Sequence, residues 1–248
     1  MALEPSEASV ERANERLAMY VSLALAVLAV ASLGLGVAAV PISGANCRAD
    51  CISYPYLNTV DRFPRDYVWM YVAMAMVVSY LLFMVSLRVV AAPAGSLLGQ
   101  MSVAVAVVVT VVLVATYFTQ SSVVPASLRA GETEGVTLLT MYNPHGLFIA
   151  LEEIGYLLMS LSFLLAALMI GGVGKMVRAI RRVFGLGFVL PLLALIGYVL
   201  AYGLDRQDRF EVVIISVDWL VLIVNGILVA LVLRKRLSVA GHSPIAGV

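Results

Sequence analysis

Charge is what this chain has least of. Only 12% of its residues are Asp, Glu, Lys or Arg and 62% are apolar, where soluble domains average about 25% charged and about 45–50% apolar. The shortage is uneven, because long stretches carry no charge at all. That pattern argues against a soluble enzyme and against a disordered chain. Sixteen basic residues meet fifteen acidic ones for a net charge of +1, so no surplus exists to hold nucleic acid. Two cysteines are too few for a secreted scaffold built on disulfides. Two histidines, His145 and His242, do not supply the pairs expected for haem ligation or a metal cluster. What remains is an integral membrane protein.

A hydrocarbon core about 30 Å thick takes roughly 20 apolar helical residues to cross. Six stretches qualify, at about 17–40, 67–87, 100–118, 147–170, 183–203 and 212–233, or five if the interrupted last run is not inserted. The third sits inside an uncharged run too long for one span. Pro93 and Pro125 are read as its limits, since proline disrupts a helix interior. Its valine-rich part, 103–114, would suit a strand in water. In lipid an isolated strand leaves its backbone unpaired, so helix is expected. The expected fold is all-α: an integral membrane bundle of six transmembrane helices. Tails at 1–16 and 234–248 flank it, and loops at 41–66, 119–146 and 204–211 share one side. Ser43-Gly44-Ala45 resembles a signal-peptidase site, but the apolar run before it is too long, and Glu4, Glu7, Glu11 and Glu15 spoil a basic leader. The first run is read as an uncleaved span.

Lys and Arg indicate orientation. With the N-terminus inside, the inner segments hold ten of them: Arg12, Arg16, Arg88, Lys175, Arg178, Arg181, Arg182, Arg234, Lys235 and Arg236. The outer loops hold six, Arg48, Arg62, Arg65, Arg129, Arg206 and Arg209, interleaved with acidic residues. Both termini are therefore expected to be cytoplasmic. Cys47 and Cys51 then fall in the first outer loop, where oxidation could join them into a disulfide that pins the loop. Tyr54, Tyr56, Tyr67, Trp69, Tyr71, Tyr117, Phe118, Tyr142, Phe148 and Tyr202 gather near the outer boundary, the membrane interface that Trp and Tyr favour. The cluster at 178–182 reads as a topology signal, with anionic lipid headgroups as a second reading.

Ionisable groups inside a span are costly and need a reason. Glu152, Glu153 and Asp218 are three such groups. On a helix, Tyr156, Ser160 and Glu153 lie about 40°, about 80° and about 100° from Glu152, and His145 about 20° if the helix starts that early. These residues form a polar stripe on one quarter of span four. Asn143 suits the N-cap of that helix and Pro144 its first position. In span six, Glu211, Asp218 and Asn225 recur every seven residues and drift only about 20° per step. Two such faces belong against each other or against water, with Arg62, Arg65 or Arg129 as counter-charges. A plainer reading stands beside this one. Residues 154–173 alone are long enough to span, which leaves Glu152 and Glu153 among the headgroups. Asp218 then makes a structural hydrogen bond, and Asn225 is interhelical glue worth about 0.6 kcal/mol.

Known signatures are incomplete. Glu152-Glu153 is similar to the paired glutamates of membrane-embedded prenyl-protein proteases, but no suitably spaced arginine or intramembrane histidines accompany it. No Gly-x-Ser-Gly segment of the rhomboid kind occurs, and Asn143-Pro144 appears once where aquaporins carry two Asn-Pro-Ala motifs. No phosphate-binding loop exists either. No cofactor, metal site or complete catalytic constellation is expected, and the chain leans away from being an enzyme.

The stretch from about 119 to 160 contains Gly131-Glu132-Thr133-Glu134-Gly135, Tyr142-Asn143-Pro144-His145-Gly146 and Leu151-Glu152-Glu153. It resembles an uncharacterised family of small bacterial and archaeal multi-pass membrane proteins of unknown function. Ser53-Tyr54-Pro55-Tyr56 and Gly203-Leu204-Asp205-Arg206 are similar too. The resemblance implies a prokaryotic inner-membrane location and no particular activity.

The leading expectation is a small transporter or ligand-binding protein with a polar cavity opening outward between spans four and six. Its candidate binding residues are Asp218, Glu152, Glu153, His145, Tyr156 and Asn225. The ligand would be a cation, a proton or a small molecule. The alternative is a non-catalytic scaffold using the outer loops and small-residue faces such as Ser32/Gly36. A third reading is an intramembrane lipid-modifying enzyme with a carboxylate as general base. The lipid bilayer is the other expected partner; homo-oligomers stay open, and nucleic acid is not expected.

Overall fold

The structure, a computed structural model, describes residues 7–39, 42–90, 97–172 and 174–240. Pro93, His242 and the outermost residues of both tails lie outside the described residues. Among the described residues every regular element is helical. The α-helices are α1 (Glu7–Ala38), α2 (Val68–Val90), α3 (Leu97–Ala130), the short α4 (Val136–Leu139), α5 (Leu147–Met169), α6 (Lys175–Tyr202) and α7 (Gln207–Ala240). All except α4 are long and apolar enough to cross a membrane. The chain is a multi-pass membrane protein with six spanning helices.

Several helices outrun the apolar stretches that announce them. Helix α1 includes residues 7–16, expected as a tail, because Glu, Ala and Arg are good helix formers in water as well. Helix α7 likewise runs through Arg234, Lys235 and Arg236 to Ala240. Helix α6 begins at Lys175, eight residues before its expected span. Helix α3 continues through Pro125 to Ala130, so the first part of the expected loop 119–146 is helical and Pro125 is not a limit. A proline removes one backbone bond. Here Tyr117, Ser121, Val124 and Pro125 are all buried, and that packing holds the helix on course.

Neighbouring helices close into a circuit: α1 packs on α2, α2 on α3, α3 on α5, α5 on α7, and α7 back on α1. Helix α6 lies outside it, against α5 and α7. Its apolar segment is only 17% buried in the protein, whereas that of α5 is 56% buried. Tyr80, Phe163 and Phe184 meet at the centre. Helices α1 and α7 approach closely at Gly226, where a Cβ would stand 2.8 Å from the Ser22 carbonyl oxygen. Gly36 lies against the Trp219 ring, and Ser32 is fully buried. The small-residue face of α1 is therefore used inside the protein.

Both described ends of the chain sit at one end of the bundle, where Arg236 reaches Glu15 at 3.8 Å and donates to the Val89 carbonyl at 3.2 Å. The loops at 42–66, 131–146 and 203–206 occupy the other. The expected aromatic belt at that end divides in two. Tyr54, Tyr71, Phe118 and Tyr202 are exposed, but Tyr67, Tyr117, Tyr142 and Phe148 are buried. Tyr142 and Phe148 line a cavity, and Tyr67 and Tyr117 belong to the buried core.

Candidate functional site

A half-open cavity of about 270 Å³ lies at the loop end, bounded by α1, α5, α7, the start of α2 and residues 42–46. Among the described residues, its lining includes Asp66, Glu152, Asp208 and Glu211, and no Lys, Arg or His. Glu152 enters from the second turn of α5 and Glu211 from the second turn of α7. These helices run side by side in the same direction, which sets the two carboxyls next to each other, with the Tyr117 hydroxyl also against Glu152. Glu152 is 1% exposed and its Oε1 has no hydrogen-bond partner.

The other two acids are already engaged. Asp66 pairs with Arg65 at 2.8 Å and Arg62 at 3.7 Å, and accepts from the Tyr142 hydroxyl at 3.4 Å. Burial pushes the Tyr142 phenol well above its ordinary value, so it stays a neutral donor. Asp208 accepts from the Ala45 backbone N–H at 2.6 Å and so holds the loop 42–46 over the cavity. Gly44 is needed there: its φ is +69°, and a Cβ would collide with the Asp208 carboxylate. Cys47 and Cys51 are disulfide-bonded just beyond, and the Ile52 N–H bonds back to the Ile42 carbonyl at 2.7 Å.

Beneath the cavity runs a polar chain. The Trp219 indole N–H donates to the Tyr156 hydroxyl at 2.9 Å, and that hydroxyl shares a 2.8 Å bond with Tyr117, which reaches Glu152. Asp218 is deeper, eleven residues from the start of α7, about 16 Å along the helix. Its Oδ1 accepts from Ser160 at 3.0 Å and its Oδ2 has no partner. Asn225 lies two turns further on, fully buried, with neither amide atom bonded.

The expected binding residues thus separate into layers. Glu152 lines the cavity, Tyr156 lies one bond below it, and Asp218 and Asn225 are deeper in the bundle. Glu153 is turned away: both its carboxylate oxygens accept from Arg206 at 2.9 Å. The angle of about 100° between successive residues is enough to send the two glutamates to different neighbours. The counter-charge is Arg206, not Arg62, Arg65 or Arg129; the first two are committed to Asp66. His145 is exposed in the turn before α5 and does not line the cavity. The helix starts later than expected, with Gly146 at its N-cap. The Asn143 side chain instead accepts from the His145 N–H at 3.0 Å and donates to the Thr137 carbonyl at 2.9 Å.

Sequence reasoning did not single out Asp66, Trp69, Asp208 or Tyr142 as site residues. Only Glu211 had a signal, its seven-residue spacing from Asp218. Among the described residues, no three or more acidic, histidine or cysteine side chains converge as a metal site. Comparison of the chain with protein-family models, curated proteins and solved structures finds no match.

Proposed function

We propose that this protein is a small membrane carrier or binding protein for a cation or proton, taken up from the loop side between α1, α5 and α7. The observation that carries this reading is Glu152. It is a buried carboxyl with an unpartnered oxygen, set beside a second carboxyl in a cavity with no basic side chain among its described lining residues. Two carboxyl groups shielded from water repel each other unless something positive lies between them, a shared proton or a bound cation. The chain beneath, through Tyr117, Tyr156 and Trp219, fixes the floor of the site in one arrangement.

The location belongs to the same proposal. The excess of Lys and Arg at the end that carries both described ends of the chain supports a cytoplasmic side there under the positive-inside rule, with the cavity opening outward. The resemblance noted above points to a prokaryotic inner membrane.

Reconstitution in liposomes tests the function. Cation or proton gradients imposed from the loop side are expected to give a saturable charge movement or uptake that Glu152→Gln abolishes. Identical signals from the wild type and from folded Glu152→Gln contradict the proposal.

A further inference from the structure

We infer that the ligand of the loop-side cavity is an organic cation, a protonated or quaternary amine carried on a small apolar body. This rests on the cation reading above and narrows it.

Size is the first argument. A water molecule has about 30 Å³ as its share of the liquid, and a bare inorganic ion needs no more. The cavity holds about 270 Å³, near the lower end of small-molecule sites, which run from about 300 Å³. A lone ion would leave most of it unfilled.

The walls are the second argument. Trp69, Phe148 and Trp219 present aromatic surface to the cavity, and aromatic faces attract ammonium groups as well as apolar ones. Val37 and Val212 stand on the rim, 79% and 51% exposed. That apolar part of the rim, beside the polar Ser43, Asn46 and Asp208, suits an amphipathic molecule better than a bare ion.

Charge is the third. Asp66 is paired with two arginines, and Asp208 accepts from the Ala45 N–H. The carboxyls that line the cavity without a cationic partner among the described residues are therefore Glu152 and Glu211 on the floor and Asp208 beside the loop. The indole N–H of Trp219 is already committed to Tyr156. With no basic side chain among the described residues lining the cavity, the carboxylate of a zwitterion would find no cationic partner. The site thus selects positive charge at one end and apolar surface at the other.

The chain carries its own reporter. Its two tryptophans, Trp69 and Trp219, both line the cavity, so tryptophan fluorescence reads occupancy. Purified full-length protein in detergent is titrated with benzyltrimethylammonium, tetramethylammonium, benzyl alcohol, sodium and potassium at constant ionic strength. The expected result is a saturable change with benzyltrimethylammonium, a weaker one with tetramethylammonium and none with benzyl alcohol. Glu152→Gln should weaken benzyltrimethylammonium binding by about tenfold or more, as removal of a desolvated charge partner does. Val37→Lys, at a rim position next to the C-terminal end of α1, should weaken it too, by repulsion, in protein shown to be folded. Equal or better response to sodium or potassium overturns the organic-cation class and leaves the cation reading standing. An equal response to benzyl alcohol, or unchanged binding in both variants, shows an apolar pocket only and overturns the inference. No response to any cation, with no cation-driven proton release, overturns both.

Discussion

The Arg206 guanidinium donates to both carboxylate oxygens of Glu153 at 2.9 Å, and so holds that carboxylate away from the cavity that the adjacent Glu152 lines. Two acids adjacent in sequence thereby acquire different roles. One anchors the turn between α6 and α7 onto α5, and the other faces the site. Arg206→Ala leaves the Glu153 side chain, only 9% exposed, without its partner. It should cost about 1.5–3 kcal/mol, and Glu153→Gln less. The double variant should recover part of the loss, which thermal unfolding in detergent would show as a non-additive cycle. Strict additivity would mean that the pair does not interact.

Tyr156 joins Trp219 to Tyr117 through a single hydroxyl. Tyr156→Phe leaves the buried indole N–H without an acceptor and should destabilise the protein by about 1–3 kcal/mol. Tyr117→Phe keeps that acceptor and should cost less, about 0.5–1.5 kcal/mol. Unfolding midpoints in the reverse order would contradict the assigned network.

Helices α1 and α7 meet at Gly226, where added atoms would strike the Ser22 carbonyl and Ala26. Gly197, on the outer helix α6, has nothing near the position of a Cβ. Gly226→Leu should therefore lower stability by about 1–3 kcal/mol through overpacking, with Gly197→Leu nearly neutral. Comparable losses from both would place the α1–α7 contact elsewhere.

A bond from the Ala45 N–H to Asp208 ties the loop over the cavity to α7. Gly44→Ala meets both a positive φ and the Asp208 carboxylate. Amide hydrogen exchange should quicken across residues 42–52 and stay unchanged in α3 and α5. Exchange that spreads into the helices would mean the loop supports the bundle itself.

The architecture was legible because lipid demands long apolar helices, and six uncharged runs meet that demand whatever their neighbours. Helix ends were less legible. Residues 7–16 and Pro125 show that polar residues extend a helix into water and that packing can outweigh a proline. Glu152 and Asp218 stood out because a carboxyl in a span is conspicuous. Their partners did not, since contacts such as Asp208 with Ala45 join residues 163 positions apart, which no periodicity encodes. Aromatic residues near a boundary read equally well as a lipid belt or as the lining of a site. Tyr142 and Phe148 turn inward only because the loops fold back over the bundle.

The central claim is that a water-accessible cavity between α1 and α7 takes up a cation. Ser216 lines that cavity, and its hydroxyl bonds only within its own helix, to the Val212 carbonyl, so Ser216→Cys is a mild probe. With Cys47 and Cys51 replaced by serine, intact cells are treated with a membrane-impermeant thiol reagent, with and without benzyltrimethylammonium. The account predicts labelling from outside that the cation slows. No labelling of the folded, inserted protein, or labelling that the cation leaves unchanged, would contradict it.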